Sequence, residues 1–115
     1  MIPQLVEKQY KVFINGALKD SISGETFEVY NPATEEVLAV VPRCKEQDVE
    51  NAIAAANEAF KTFKKTTPAE RSRLLLKLAD IIENNAEELA ILETLNVGKP
   101  IVESKEDIEF SVDLL

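Results

Sequence analysis

The sequence has 115 residues, of which 45% are hydrophobic and 30% are charged, as expected of one globular domain. Its 21 acidic residues outnumber its 13 basic ones, for a net charge of −8. This argues against binding to nucleic acid, which requires clustered lysine and arginine. The single cysteine excludes an internal disulfide, and no apolar run approaches transmembrane length. The opening residues, MIPQLVEKQY, lack the features of a signal or transit peptide, so we expect a cytoplasmic protein without a membrane partner.

The first part of the chain, from about residue 11 to residue 42, is predicted to form strands. Residues 11–14 are β-prone, and Asn15-Gly16 is a two-residue hairpin signal because both positions tolerate positive φ. A second turn is expected at residues 21–24. Residues 25–30 then alternate between apolar and polar side chains, which predicts a half-buried strand.

The last predicted strand follows a turn at residues 31–34, which read NPAT. Asparagine can bond its own backbone there and proline restricts φ, so the two residues favour a turn. Residues 36–41 are almost wholly apolar, which predicts a strand covered on both faces, and Pro42 is expected to end it.

From about residue 45 to residue 115 the apolar side chains repeat with helical spacing. The first predicted helix carries acidic residues, among them Asp48, near its start and lysines near its end, which suits the helix dipole. Thr67 and Glu70 predict a capping box for the second helix, with Pro68 at its first position. The stripes predicted to form the buried sides of these helices are Val49, Ile53, Ala56, Phe60 and Phe63 in the first, and Leu74, Leu75, Leu78, Ile81 and Ile82 in the second.

A third helix is expected after Asn85, which together with Glu88 is predicted to cap it. Gly98 is predicted to end this helix in the left-handed conformation, with Pro100 blocking its continuation. A fourth apolar set (Ile108, Val112, Leu115) begins afterwards, and we expect the chain to stop inside that helix.

Few groups in the sequence can carry chemistry. There is no histidine, so neither a Ser-His-Asp arrangement nor an acceptable zinc site can be built. Gly98-Lys99 lacks the first glycine and the hydroxyl of a phosphate-binding loop, so we interpret it as a helix end. Cys44, between Arg43 and Lys45, is interpreted as a small apolar filler between strand and helix.

The order of the motifs resembles the N-terminal stretch of the NAD(P)-dependent aldehyde dehydrogenase superfamily from about residue 11 to the end. Each motif alone is a moderate signal, whereas their order and spacing together are specific. The motifs are Phe13-Ile14-Asn15-Gly16, Asn31-Pro32-Ala33-Thr34, Pro68-Ala69-Glu70-Arg71, Leu78-Ala79-Asp80, Glu93-Thr94-Leu95 and Gly98-Lys99-Pro100.

The resemblance implies an α/β fold, in which β-hairpins followed by a helical segment form the N-terminal part of a Rossmann-like cofactor domain over residues 1–115. It implies oxidation of a small-molecule aldehyde with NAD or NADP, through attack of a cysteine thiolate, in an enzyme that is a homo-oligomer (dimer or tetramer). The catalytic domain and the catalytic and cofactor-binding residues have no matching positions here, so we expect this chain alone to be inactive.

Two further sites are implied by the resemblance. Members of the family bind Na⁺ or K⁺ through a backbone carbonyl before the NPAT segment and an acidic residue in the ETL-x-x-GKP segment. The matching residues are Val29 or Tyr30 and Asn96, where the family's Asp is replaced by Asn. Asp107 matches an acidic position near the substrate entrance of members that act on aminoaldehydes or betaine aldehyde, although Phe110 replaces a second acid.

A second hypothesis stays open beside the dehydrogenase. The chain could be a non-catalytic acidic interaction module derived from the same family. Continuation of the reading frame into the glutamate and cysteine segments of the family would support the enzyme, whereas a natural stop would support the module.

Overall fold

The computed structural model describes residues 9–115, so most of the MIPQLVEKQY segment, on which the prediction about targeting signals rests, lies outside the described residues. Residues 9–115 form four strands followed by four helices, which confirms the predicted α/β fold of β-hairpins and a helical segment. Within the described part of the chain, no helix is both long and apolar enough to cross a membrane. In chain order the elements are β1 (Val12–Ile14), β2 (Ala17–Lys19), β3 (Thr26–Tyr30), β4 (Val37–Pro42), α1 (Glu46–Phe63), α2 (Pro68–Asn84), α3 (Ala86–Val97) and α4 (Ile101–Leu114).

These elements fall into two compact units. One comprises residues 30–38 and 67–115, and therefore holds α2, α3 and α4; the other comprises residues 9–29 and 39–66 and holds α1.

In the unit that holds α1, β1 and β2 form an antiparallel hairpin in which Phe13 faces Leu18. Its turn residues Asn15 and Gly16 have φ of 54° and 74°, the values that the Asn-Gly signal predicts. The predicted second turn is also present, closed by a 3.0 Å hydrogen bond from the Gly24 N–H to the Ser21 carbonyl.

β3 pairs with β4 in a second two-stranded sheet. Leu38 and Ala39 of β4 are both buried, at 7% and 5% exposed, although they point to opposite faces of the strand. The cover predicted for both faces is therefore present at this point of the strand, whereas Val37 at its start is exposed. Pro42 is the last residue of β4, so the strand ends where the sequence predicts.

The start of α1 depends on Asp48, which is only 5% exposed. Its carboxylate accepts one hydrogen bond from the Lys45 N–H and one from the Ile22 N–H, both at 3.0 Å. Asp48 therefore ties the turn at residues 21–24 to the helix start, a role beyond the dipole interaction that the sequence predicts.

In the other unit, α2 begins with the predicted capping box. The Glu70 N–H donates to the Thr67 hydroxyl at 3.2 Å, and the Thr67 N–H donates to the Glu70 carboxylate at 2.6 Å. The bond from the Thr67 N–H, and next the 2.9 Å bond that the Thr67 hydroxyl donates to the same carboxylate, lowers the pKa of Glu70. Pro68 occupies the first turn, where its missing N–H has no helical partner to lose.

The prediction that the Asn85 side chain caps α3 is wrong. Asn85 lies at the junction of the two helices, but its side-chain N–H donates to the Ile81 carbonyl at 2.7 Å. No side-chain bond caps the start of α3. Asn85 therefore satisfies a carbonyl at the end of α2, since four carbonyls at a helix end lack partners within the helix.

α3 packs on α4, and α2 packs on both of them. Small side chains allow the close approach of α3 and α4, because Ala90 and Ser104 are completely buried. The Ser104 hydroxyl forms a 2.8 Å hydrogen bond with the Thr94 hydroxyl, which satisfies both groups away from water.

The large apolar stripes that the sequence predicts as the buried sides of α1 and α2 are mostly exposed in this chain, and among their residues Ile82 alone is partly buried. The faces that pack are centred on small residues: Ala52 and Ala55 are partly buried in α1, and Ala79 is buried in α2. The other large stripe residues lie beside those faces and are roughly half exposed. The prediction placed them inside because a hydrophobic period identifies the apolar positions of a helix but not which of them a neighbouring element covers. The exposed residues are Val49, Ile53, Phe60 and Phe63 in α1, and Leu74, Leu75, Leu78 and Ile81 in α2.

Candidate functional site

The NPAT turn is closed by Asn31, which is 8% exposed. Its side-chain oxygen accepts a 2.9 Å hydrogen bond from the Ala33 N–H, and its backbone carbonyl accepts one of 2.8 Å from the Glu35 N–H. Its own N–H donates to the Glu36 carbonyl at 2.9 Å. Asparagine is suited to this place because its short side chain reproduces a backbone turn.

The end of α3 contacts this turn. Gly98 has φ of 78°, and its N–H donates to the Thr94 carbonyl at 2.9 Å, which confirms the predicted left-handed helix end. A Cβ at this position would lie 2.8 Å from Cγ of Pro32. The Gly98-Lys99-Pro100 and NPAT motifs therefore meet in space, a contact for which the sequence offers no local signal.

Two residues of the predicted cation site are near that contact in sequence. Tyr30 is the last residue of β3 and precedes Pro32 by two positions, and Asn96 is an exposed residue in the last turn of α3, two positions before Gly98. Val29 is half-buried in β3 and belongs to the unit that holds α1. Among residues 9–115 no group of three or more His, Cys, Asp or Glu side chains could hold a metal ion. The cation site, which would use carbonyl and amide oxygens, stays a prediction.

Asp107, the predicted substrate-entrance residue, lies in α4 and pairs with Lys99. The Lys99 ammonium group donates to the Asp107 carboxylate and lies 3.3 Å from the carboxylate of Glu93 in α3. The hydrogen bond to Asp107, and next the one to Glu93, raises the pKa of Lys99. Lys99 is therefore the cation paired with Asp107, and the sequence did not reveal it because the pairing depends on how α3 and α4 meet.

Cys44 is exposed, so the prediction that it fills an apolar gap is wrong. It lies in the loop between β4 and α1. The flanking cations are occupied elsewhere: the Arg43 guanidinium lies 5.1 Å from the centre of the Phe27 ring, and the Lys45 ammonium pairs with Glu25. Neither flanking cation is therefore placed to activate the Cys44 thiol as a nucleophile.

Comparison with known proteins connects these features to one family. The family model described as "Aldehyde dehydrogenase family" matches residues 19–115. The chain is 44% identical over 114 residues to the protein named "Aldehyde dehydrogenase, mitochondrial" of Leishmania tarentolae. That match covers 98% of this chain and 23% of the relative.

Solved structures agree with this match. An NAD⁺ complex of an aldehyde dehydrogenase from Bacillus cereus superposes with a TM-score of 0.88 at 47% identity, over 94% of this chain and 23% of that one. A betaine aldehyde dehydrogenase variant from Staphylococcus aureus, solved with NAD⁺, superposes with a TM-score of 0.87 at 32% identity, over 94% of this chain and 22% of that one. The chain thus spans about a quarter of the length of the relatives that it matches, and it belongs to the aldehyde dehydrogenase family.

Proposed function

We propose that this chain is the N-terminal part of the cofactor-binding domain of an NAD(P)-dependent aldehyde dehydrogenase. One observation carries the proposal: a similar backbone, with a TM-score of 0.88 over 94% of this chain, occurs in a B. cereus enzyme that was solved with NAD⁺. The hairpins, the NPAT turn and the three packed helices would then serve as the frame beside the cofactor site. Catalytic and phosphate-binding groups would come from the rest of the enzyme.

The proposed reaction converts an aldehyde and water to a carboxylic acid, with NAD(P)⁺ accepting a hydride. A cysteine thiolate outside this segment would attack the aldehyde and form a thiohemiacetal. Loss of the hydride leaves a thioester, which water then hydrolyses. No residue of this chain is assigned to these steps, and the chain alone is proposed to be inactive.

A chimera tests this proposal. This chain would replace the matching segment of the B. cereus enzyme, and aldehyde-dependent NADH formation would be compared with that of the unmodified enzyme and of this chain alone. We expect turnover by the chimera and none by the chain alone. A folded chimera that neither binds NAD⁺ nor turns over would contradict the proposed function, and turnover by the chain alone would contradict the proposed inactivity.

We further propose that the substrate is an aminoaldehyde or betaine aldehyde, whose positive charge Asp107 attracts. The similarity to the S. aureus enzyme supports this, as does the position of the Asp107 carboxylate on the exposed surface of α4. Lys99 opposes the effect by pairing with the same carboxylate. Removing each partner of the pair should therefore change the preference for cationic substrates in opposite directions.

The pair can be tested in the chimera with Asp107→Asn and Lys99→Met. For Asp107→Asn we expect kcat/KM to fall for betaine aldehyde and to stay unchanged for a neutral aldehyde of similar size. For Lys99→Met we expect a selective rise for betaine aldehyde. Equal changes on both substrates would show that Asp107 acts on folding rather than on substrate charge.

The monovalent cation site is proposed at the backbone carbonyl of Val29 or Tyr30 and the side-chain oxygen of Asn96. Carbonyl and amide oxygens are suitable ligands for Na⁺ or K⁺ as hard cations. In the chimera, K⁺ or Na⁺ should raise the melting temperature, Asn96→Asp should strengthen that effect and Asn96→Leu should abolish it. A cation effect that Asn96→Leu leaves unchanged would place the site elsewhere.

The oligomeric state and location complete the proposal. The full-length enzyme would be a dimer or tetramer in the cytoplasm, using NAD or NADP. Light scattering and cell fractionation test these points, and a mitochondrial location, as in the name of the L. tarentolae relative, is the alternative result.

A non-catalytic acidic interaction module is the competing function, favoured by the net charge of −8 and the exposed apolar stripes. An active chimera would argue against it.

A further inference from the structure

The turn of the β1–β2 hairpin carries Asn15 and Gly16, the only position in the sequence at which glycine follows asparagine. Both residues are exposed, and their φ angles are 54° and 74°. A Cβ built on Gly16 would meet no atom within 4 Å, so the space beside its backbone is open. Because glycine lacks a side chain, its backbone nitrogen can approach the side chain of the preceding residue without steric hindrance. The turn therefore carries the two groups of an intramolecular substitution, an amide carbon and a backbone nitrogen.

The reaction that these two groups support is deamidation. The Gly16 nitrogen loses its proton to water and attacks Cγ of Asn15, which forms a C–N bond. The bond from Cγ to Nδ2 then breaks, and ammonia leaves with a proton taken from water. Water adds to one of the two carbonyls of the resulting succinimide ring, and the ring C–N bond at that carbonyl breaks. Opening at Cγ gives aspartate, whereas opening at the backbone carbonyl gives isoaspartate, in which the main chain runs through Cβ and Cγ.

The other asparagines of the sequence are placed less favourably. Asn31 precedes Pro32, whose nitrogen has no proton to lose. The remaining five lie in helices or at the α2–α3 junction, and each is followed by a residue with a side chain. In the helices the backbone rotation that ring closure needs is fixed. At the junction, the Asn85 side chain is held by its 2.7 Å hydrogen bond to the Ile81 carbonyl. Asn15 is therefore the asparagine best placed to react.

The hairpin itself limits the reaction at Asn15. Ring closure requires rotation about the Cα–C bond of this residue, which the closed two-residue turn holds in one conformation. The hairpin must therefore open first. β1 and β2 have three residues each and form a two-stranded sheet, an arrangement that is marginally stable. Every residue of β2 is exposed, so little packing opposes the opening.

We propose that Asn15 is a deamidation site of the folded chain, that opening of the β1–β2 hairpin controls its rate, and that the isoaspartyl product leaves the hairpin unpaired. This inference goes beyond the proposed function and does not depend on it. Isoaspartate adds an atom to the main chain of a two-residue turn, and that turn sets the register in which Ile14 faces Ala17. Aspartate keeps the main chain and tolerates positive φ as asparagine does, so it preserves the turn.

Incubation of the 115-residue chain at neutral pH tests the site and its control by the hairpin. Peptide mass spectrometry measures, at each asparagine, the gain of about 1 Da that replacement of NH₂ by OH produces. The test variant is Phe13→Ala with Leu18→Ala, which removes a cross-strand pair that is 70% and 66% exposed. The matched control is Phe60→Ala, since Phe60 is 56% exposed in α1 of the same unit. The chain unfolded in urea gives the rate without the hairpin.

We expect Asn15 to deamidate faster than every other asparagine of the folded chain, and faster still in urea. The double variant should react about two- to fivefold faster than the unmodified chain, because a cross-strand pair stabilises the closed hairpin by a corresponding amount. Phe60→Ala should leave the rate unchanged. Far-UV circular dichroism checks the fold of each variant, and if the double variant loses helicity, Leu18→Ala alone takes its place.

Two results would overturn this part of the proposal. An Asn15 rate in the folded chain that does not exceed the rate of Asn96, an exposed helical asparagine, would exclude the site. A double variant that reacts at the rate of the unmodified chain, or a Phe60→Ala variant that accelerates equally, would exclude control by the hairpin.

The deamidated chain tests the proposed loss of pairing. Both products add a negative charge, so ion exchange isolates the deamidated chain, and reversed-phase chromatography of its peptides measures the isoaspartyl share. The hairpin amides should lose protection from hydrogen exchange in proportion to that share, whereas Asn15→Asp should retain it. Full protection in the deamidated chain, or an equal loss in Asn15→Asp, would overturn the role of the added main-chain atom.

Discussion

Gly98 and Pro32 approach so closely that a Cβ at position 98 would lie 2.8 Å from Cγ of the proline ring. Gly98 also has φ of 78°, which side-chain-bearing residues rarely adopt. Two independent restrictions therefore act on one position, the backbone conformation of the helix end and the space left by the NPAT turn.

The first prediction concerns this contact. Gly98→Ala should lower the free energy of unfolding by about 2 to 4 kcal/mol, from left-handed strain together with overpacking against Pro32. Gly24→Ala is the control, because Gly24 has φ of 69° with nothing within 4 Å of its absent Cβ. Gly24→Ala should lower the free energy of unfolding by the cost of the left-handed strain alone, about 1 to 2 kcal/mol. Urea unfolding followed by far-UV circular dichroism measures both.

A second substitution separates the cost of the backbone strain from the cost of overpacking against Pro32. Pro32→Ala removes the ring atom that the new Cβ would meet, so it should restore part of the stability of Gly98→Ala. Strictly additive effects of the two substitutions would show that the contact adds nothing to the cost of the backbone strain.

The second prediction concerns the buried carboxylate of Asp48. Asp48→Ala leaves the N–H groups of Ile22 and Lys45 without their acceptor, and should cost about 2 to 3 kcal/mol. Glu46→Ala and Glu50→Ala change exposed acids in the same first turns and should each stay within about 0.5 kcal/mol. If all three variants lost similar stability, the interaction with the helix dipole would explain the effect of Asp48→Ala, and the hydrogen bond from Ile22 would contribute nothing. Amide hydrogen exchange at Ile22 gives the local readout, since it should accelerate only in Asp48→Ala.

The third prediction is a pH dependence at the start of α2. The pKa of Glu70 is lowered from its ordinary value of 4.5, so the ionised carboxylate stabilises the folded helix start. That contribution is fully present above the ordinary value and is lost as the pH falls through the lowered pKa in the folded state. Wild type should therefore exceed Glu70→Gln in helicity at neutral pH, and the difference should shrink below about pH 4. A difference that is constant across this range would exclude the carboxylate as its source.

Thr67→Ala tests the other partner of the same cap, whose hydroxyl also donates to the Glu70 carboxylate at 2.9 Å. It removes the hydroxyl that accepts the Glu70 N–H, and should cost about 1 kcal/mol. Thr62→Ala, an exposed threonine outside the cap whose hydroxyl bonds the Ala59 carbonyl at 3.0 Å, should be nearly neutral.

The fourth prediction concerns the buried hydroxyl pair between α3 and α4. Ser104→Ala leaves the Thr94 hydroxyl without its partner, for a loss of about 1 kcal/mol. Ser104→Val adds volume where the side chain is completely buried and should cost about 1 to 3 kcal/mol. Ser111→Ala, on the exposed side of α4, is the control and should have little effect. Equal stability of Ser104→Val and wild type would mean that α3 and α4 can separate without loss.

The sequence correctly predicted the parts of the fold that depend on residues close together in the chain. The Asn-Gly hairpin, the NPAT turn, the Thr67–Glu70 box and the left-handed Gly98 each depend on residues within a few positions of one another, and all four are confirmed. Asn85 shows the limit of local reasoning. Its side chain can serve either of two adjacent helices, and the pattern alone does not decide between them.

The sequence did not predict contacts between residues that lie apart in the chain. The Pro32–Gly98 contact, the bond from Ile22 to Asp48 and the pairing of Lys99 with Asp107 join residues whose sequence positions carry no reciprocal signal. For the candidate sites, sequence reasoning identified Asn96 and Asp107 by resemblance. It missed Lys99, which pairs with the Asp107 carboxylate.

The alanine faces of the helices also imply an order of assembly during synthesis. Contacts through Ala79, Ala90 and Ser104 need only residues within this segment, so they can form once α4 has left the ribosome. Leu74, Leu78 and Ile81 of α2 are exposed and have no such partner among residues 9–115. If the chain is the beginning of a longer enzyme, as proposed, these side chains would stay open to solvent until later residues are made, and chaperone binding to the nascent chain would be greatest in that interval.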